Sequence, residues 1–296
     1  MYLQRMLLST MASSVLMTLS LFSIPTTAFV PFIDGGKGMP VLYKGFFNEQ
    51  IAKQAATAVN KAVSAGKKKI EVNFPSVPNV DEVRFGTPLN KKFGTSVVAR
   101  ELGLKYTPGS NLSRNLIAYS NIYWAKKIGP ALGSGIGSKV NAVTAEQVFL
   151  DEIKSKGNLN TLPMSKSSTL SSSNDALIAV NPGGEETWDR LYNACGAPDA
   201  PFCILNNAYS TTYGLGNKRG YEEAYYLKRI SKGWVFRSFP GPWEAYLEKP
   251  DGTVELLKTY NTKPQLNEVA KLVREESFSR YAIGNDRWTP GFGERL

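Results

Sequence analysis

The chain has 296 residues, 42% of them hydrophobic and 11% aromatic, which is enough to bury a full core and sets disorder aside. Lysine and arginine number 35 against 25 acidic residues, a formal charge of +10; only Arg5 among the charges precedes residue 29, so the body favours anionic surroundings without choosing among them. Histidine is absent, which excludes Ser-His-Asp hydrolysis, Cys-His proteolysis, HExxH zinc chemistry and facial-triad iron.

Residues Met6 to Ile24 form an apolar stretch behind the lone Arg5 and run into Pro25-Thr26-Thr27-Ala28. That order is signal-peptide grammar and predicts cleavage after Ala28. The next residues, Phe29-Val30-Pro31, complete a motif similar to the Ala-Phe-Ala-Pro signature of presequences directed to multiply membraned plastids, in which the exposed aromatic is the import determinant. Ala28 and Phe29 are therefore the candidate targeting residues, with 29–46 as a transit-type segment; simple secretion is the other reading.

Asn48 and Glu49 read as a helix start, with apolar residues at helical spacing from Ile51 to Val63 and Gly66 as the stop. The lysines at 67–69 suit the C-terminal end of that helix dipole. Ile70 to Pro75 alternates apolar and polar residues and predicts a strand closed by proline. A second helix is expected from Leu89 to Gly103, a short strand at Asn115–Ser120 before Ile122–Ile128, a strand at Val140–Val143 and a helix at Ala145–Lys156. Residues 157–174, rich in Ser, Asn, Lys and Thr, read as a solvated loop.

Beyond it, Ala176–Val180 and Phe202–Leu205 read as buried strands, with helices at Glu185–Ala194 and Tyr221–Ile230. The two cysteines, Cys195 and Cys203, are too few for a thiolate zinc site, and Cys203 lies in an apolar run as a buried thiol. Alternation of strands and helices implies parallel pairing with right-handed crossovers. Gly233–Ser238, Trp243–Lys249 and Val254–Tyr260 follow as a meander, then a helix after Pro264 and an extended tail over 279–296. The expected fold is α/β: a three-layer, Rossmann-like, mostly parallel sheet with helices on both faces and a C-terminal antiparallel meander, forming one domain over 47–278.

No motif for cofactor or metal emerges. Gly133 to Lys139 has glycines like a phosphate loop, but Ser138 separates the last glycine from the lysine and no strand precedes it. Asn181-Pro182-Gly183-Gly184 opens a helix after a strand, yet Glu185 and Glu186 put negative charge where a phosphate would sit. Two constellations stand as candidate sites. Asn73, Asn181, Asn206 and Asn207 end apolar strand runs, so in a parallel sheet they share the carboxyl edge where open α/β folds bind ligands; as turn formers they need no ligand. Lys228, Arg229, Lys232, Trp234, Arg237 and Trp243 make a basic and aromatic cluster suited to anionic headgroups or a protein partner, or to a rim of solvated lysines around a packed meander.

The segments IEVNFP, ALIAVNPGGEETWDRL, PFCILNNAYS and RGYEEAYYLKRISKGWVFRSFPGPWEAYLEKPDG together resemble the plant, algal and cyanobacterial domain-of-unknown-function family numbered nineteen-ninety-five, over roughly residues 47–278. Ala118-Tyr119-Ser120-Asn121 departs from the second Phe-Pro-Asp-like strand end of that pattern. The resemblance implies a plastid role near thylakoid biogenesis, aiding a photosystem II chlorophyll protein, on the stromal side. Its relatives include a low-photosystem-II-accumulation protein and the extra domain of a chloroplast adenylate kinase, and it carries over no catalytic residue. The function expected is a soluble or peripherally thylakoid-associated binding or assembly factor, with thylakoid proteins or anionic lipids as partners and nucleic acid disfavoured. The alternative is a small-molecule or nucleotide-binding enzyme working at the carboxyl edge of the sheet.

Overall fold

A computed structural model describes residues 38–40, 47–79, 87–134, 139–146, 148–154, 157, 159–170, 175–195, 200–207 and 220–281. The leader with Ala28 and Phe29, the middle of the Gly133–Lys139 segment and the tail past Tyr281 lie outside these residues.

Helix α1, Phe47–Ser64, buries Ile51, Ala55, Ala58, Val59 and Ala62, and Gly66 takes a left-handed φ of 78° just past its end. Strand β1, Lys69–Asn73, follows as expected. The helix read at Leu89–Gly103 is three abutting pieces: α2, Pro88–Phe93, a π turn at Gly94–Ala99, and α3, Arg100–Leu102. Thr87 caps it by accepting from the Asn90 amide, and a side chain at Gly94 would collide with the Tyr106 ring at 2.7 Å.

After the short α4, Asn111–Arg114, helix α5 runs Leu116–Gly133. The strand expected at Asn115–Ser120 is its first turn instead. Tyr119, Ile122, Tyr123, Trp124, Ala125 and Ile128 are all at most 1% exposed, so α5 is covered nearly all round and shows no single apolar stripe. Strand β2 is Val140–Thr144. The helix expected at Ala145–Lys156 is replaced by irregular chain with one 3-10 turn at Leu150–Glu152. There the Phe149 amide, which a helix from Ala145 would have turned to the Ala145 carbonyl, goes to the Tyr119 hydroxyl instead.

The segment read as a solvated loop holds strand β3, Leu159–Pro163, and a 3-10 helix, Met164–Leu170. β3 is an edge strand, which needs apolar residues on one face only; Leu159 and Thr161 are buried between exposed Asn160 and half-buried neighbours. Strand β4, Ala176–Val180, helix α6, Glu185–Cys195, and strand β5, Phe202–Leu205, match the expectation.

Tyr221–Ile230 is corrected from helix to strand β6, Glu222–Ile230. Strands β7, Gly233–Ser238, β8, Trp243–Glu248, and β9, Val254–Tyr260, complete the meander. Helix α7, Leu266–Tyr281, continues into the segment read as extended tail.

Among the described residues nine strands form one sheet in the order β3-β2-β4-β5-β1-β6-β7-β8-β9. Pairing is parallel from β3 through β6 and antiparallel from β6 to β9. On one face α1 and α5 pack against Ile70, Val72, Ala142, Ile178, Val180 and Leu205. Beneath, Trp188 and Leu191 of α6 cover Leu177, Ala179, Phe202 and Ile204, while α7 covers Tyr226, Val235, Trp243 and Leu247. The result is the three-layer arrangement of helices on both faces. Cys203 is a free, fully buried thiol on β5, and burial pushes its pKa up, so it is packed as a small apolar residue.

Candidate functional site

The spatial order β2-β4-β5-β1 places four parallel strands side by side with their carboxyl ends together. Asn73 is the last residue of β1, Asn181 and Asn206 each follow the last residue of β4 and β5, and Glu146 lies two residues past β2. The chain leaving β1 goes to helices on one face and the chain leaving β4 to α6 on the other.

The four predicted asparagines come together here and are wired to one another. Asn206 accepts the Phe74 amide at 3.0 Å and donates to Asn121 Oδ1 at 2.9 Å and Ser76 Oγ at 3.3 Å. Asn73 donates to the carbonyl of Asn207 at 3.3 Å. Asn207 clamps Gly183 twice, accepting from its amide at 3.1 Å and donating to its carbonyl at 2.8 Å, which fixes the loop into α6. Backbone geometry contributes to the choice of residue, because Asn181 and Asn206 hold left-handed φ values of 45° and 48° that asparagine tolerates best after glycine.

Two functional residues escaped the sequence reading. Asn121, on α5, receives donors from Ser76 and Asn206 on its oxygen and donates from its nitrogen to Glu146 Oε1 at 2.9 Å. Asn181 donates to the same Oε1 at 3.2 Å. Glu146 Oε2 is shut off from solvent and has no hydrogen-bond partner among the described residues, although the residue as a whole is only half-buried. Burial pushes the Glu146 carboxyl above its ordinary range, against the two amides, which favour the ionised form. Glu146 was detectable by the rule that found the asparagines, a polar side chain just beyond an apolar strand. Asn121 had no such signal, being one polar residue in a buried helix.

The second constellation is divided by the sheet. Trp234 packs with Phe236 and Tyr246 on the α1 side, whereas Trp243 packs with Val235 and Leu247 against α7. Trp234 and Trp243 are 1% and 3% exposed. Arg229 pairs with Glu248 at 3.2 Å beside Trp234, and Arg237 pairs with Glu222 at 2.8 Å while lying 5.3 Å from the centre of the Trp243 ring. Lys232 is buried in the β6–β7 turn, and burial, with the Lys263 charge adding to it, pushes the Lys228 amine down to about 8. These six residues do not form one exposed patch.

Among the described residues no group of Cys, Asp or Glu side chains is placed to hold a metal ion, and no helix is long and apolar enough to cross a membrane. No curated protein and no solved structure matches the chain. The model of one family, described as a domain of unknown function (DUF1995), matches residues 48–271, from the first turn of α1 into α7. The match takes in the parallel strands, their asparagine-lined ends, Glu146 and the meander, and the chain belongs to the DUF1995 family.

Proposed function

We propose that the protein is a plastid binding factor whose small-molecule ligand seats on the carboxyl edge of the parallel sheet. The observation that carries this reading is Glu146 Oε2, a buried acceptor without a donor inside a network that otherwise satisfies itself. Such an atom costs about 1–3 kcal/mol in the free protein, a cost that a ligand N–H or O–H removes. A network serving only to cap strand ends would have no use for it.

The plastid setting rests on the leader and the Ala28-Phe29 junction, and the role near thylakoid proteins or anionic lipids rests on the family resemblance and the basic excess. A fluorescent fusion of residues 1–48 is expected inside the plastid, and its appearance in the medium would refute that setting. For the ligand, a thermal-shift screen of nucleotides, sugars and plastid metabolites is the test. A ligand at a hundred times its Kd stabilises by about 2.7 kcal/mol, which is several degrees of Tm for a domain of this size. Asn121→Ala should abolish that saturable shift. A shift retained in full by the variant would place the ligand elsewhere, and a screen with no hit would remove support for the reading.

A further inference from the structure

The hydrogen-bond network at the carboxyl edge has a direction. Asn206 and Ser76 donate to Asn121, Asn121 donates to Glu146, and Asn181 donates to the same carboxyl. On this branch of the network the donors run toward Glu146, whose carboxyl is the terminal acceptor, while Asn73 and Asn207 donate to the carbonyls of Asn207 and Gly183. Oε1 already takes two amide donors, and Oε2 takes none. A ligand meeting this end must bring a donor; a phosphate or carboxylate would bring a second acceptor and a second negative charge.

The charge around it narrows the class further. Burial and the two amides are the causes that shift Glu146, and no described cation acts on it. Lys126 and Lys127 of α5 are turned to Glu101, the Tyr119 hydroxyl receives the Phe149 amide, and Glu152 accepts from Asn111. A carboxyl with two amide donors is prepared for ionisation but lacks the counter-charge that buried carboxylates normally have. The residue as a whole is half-buried, while Oε2 itself is shut off from solvent.

Resting on the carboxyl-edge reading above, we infer that the ligand is recognised through a protonated primary or secondary amine, which forms an ion pair with Glu146 Oε2 while Asn121 and Asn181 hold Oε1. The ammonium supplies both the missing donor and the missing positive charge. Burial holds the Glu146 carboxyl above its ordinary range, and the entering ammonium favours the ionised form, so amine binding is coupled to proton loss from this group.

The experiment uses the full chain with two matched probe pairs, ethanolamine against ethylene glycol and putrescine against 1,4-butanediol, titrated by calorimetry in buffers of different ionisation enthalpy. The amines should bind saturably, at least about tenfold tighter than the diols, with a proton release that diminishes as pH rises. Glu146→Gln should weaken amine binding by about thirtyfold or more, the usual consequence of removing one partner of a buried charge pair. Near-UV circular dichroism establishes that the variant is folded, and Asn181→Ala gives a second variant with a smaller loss. Diols binding as well as amines, or amine binding indifferent to Glu146→Gln, would overturn the ammonium inference while leaving the carboxyl-edge site in place. If neither these probes nor the metabolite screen is sensitive to Asn121→Ala, the site itself falls.

Discussion

Asn206 holds the carboxyl edge through three side-chain hydrogen bonds, and Asn206→Ala removes them all at once. The largest consequence falls on the Phe74 amide, which loses its acceptor in a residue only 3% exposed. An orphaned buried N–H costs about 1–3 kcal/mol. Alanine must also take the left-handed φ of 48°, which costs about 1 kcal/mol more for a residue with a Cβ and no local hydrogen bond. Asn121 Oδ1 keeps the Ser76 hydroxyl, so its part of the loss is small. The sum is about 3 kcal/mol, or about 6–12 °C in Tm for a domain of this length. Asn206→Gly isolates the backbone part, because it loses the same hydrogen bonds but accepts the left-handed conformation. Urea unfolding should therefore show Gly about 1 kcal/mol more stable than Ala, with the slope unchanged in both. Equal stabilities for Ala and Gly, or a loss below about 0.5 kcal/mol for Ala, would refute the view that this side chain holds the edge together.

Three further outcomes follow from the same coordinates. Burial holds the Glu146 carboxyl above its ordinary value of 4.5, so the folded state binds its proton more tightly than the unfolded chain and loses that advantage as pH rises through the folded value; relative to Glu146→Gln, wild-type stability should fall with pH above 4.5 by up to about 1.4 kcal/mol per unit, and a pH-independent difference would contradict it. Lys263 is paired with Glu223, whose side chain is 1% exposed, so Lys263→Met should cost about 3–5 kcal/mol in denaturant titrations and adding Glu223→Gln should restore most of it; a loss under about 1 kcal/mol for the single variant would show the pair to be unimportant. A Cβ on Gly233 would sit 1.9 Å from the Tyr246 carbonyl oxygen, so Gly233→Ala should lose more than about 4 kcal/mol or fail to fold, and a variant melting near wild type would show that the β7–β8 contact gives way cheaply.

An amphipathic helix and short continuous apolar runs were legible in the sequence. Helix α1 sets Ile51, Ala55, Ala58, Val59 and Ala62 against a polar outer face, and the short apolar runs of β4 and β5 end at asparagines. Two of the errors came in elements covered on both faces that lack a continuous apolar run. Strand β6 lies inside the sheet, and Glu223 through Leu227 are buried without alternation, while Glu, Ala, Leu, Lys and Arg are residues with good helix propensity; position in the sheet overrode that propensity. Helix α5 misled in the opposite direction, because burial on all sides erased its period. At the site, asparagines at strand ends were readable from local order alone. Glu146 was hidden by assigning it to a helix that does not form, and its significance comes from Asn121 and Asn181, which only the tertiary structure brings to one oxygen.

The position of β1 also dictates when the sheet can close. Its two neighbours are β5 and β6, with Lys69 opposite Phe202 and Ile70 opposite Glu222, so the central strand is made early in synthesis and its partners late. The meander and α7, by contrast, join residues close together along the chain, the kind of contact that forms quickly because little loop entropy is lost. The sheet can close around β1 only once the chain as far as β6 has been made.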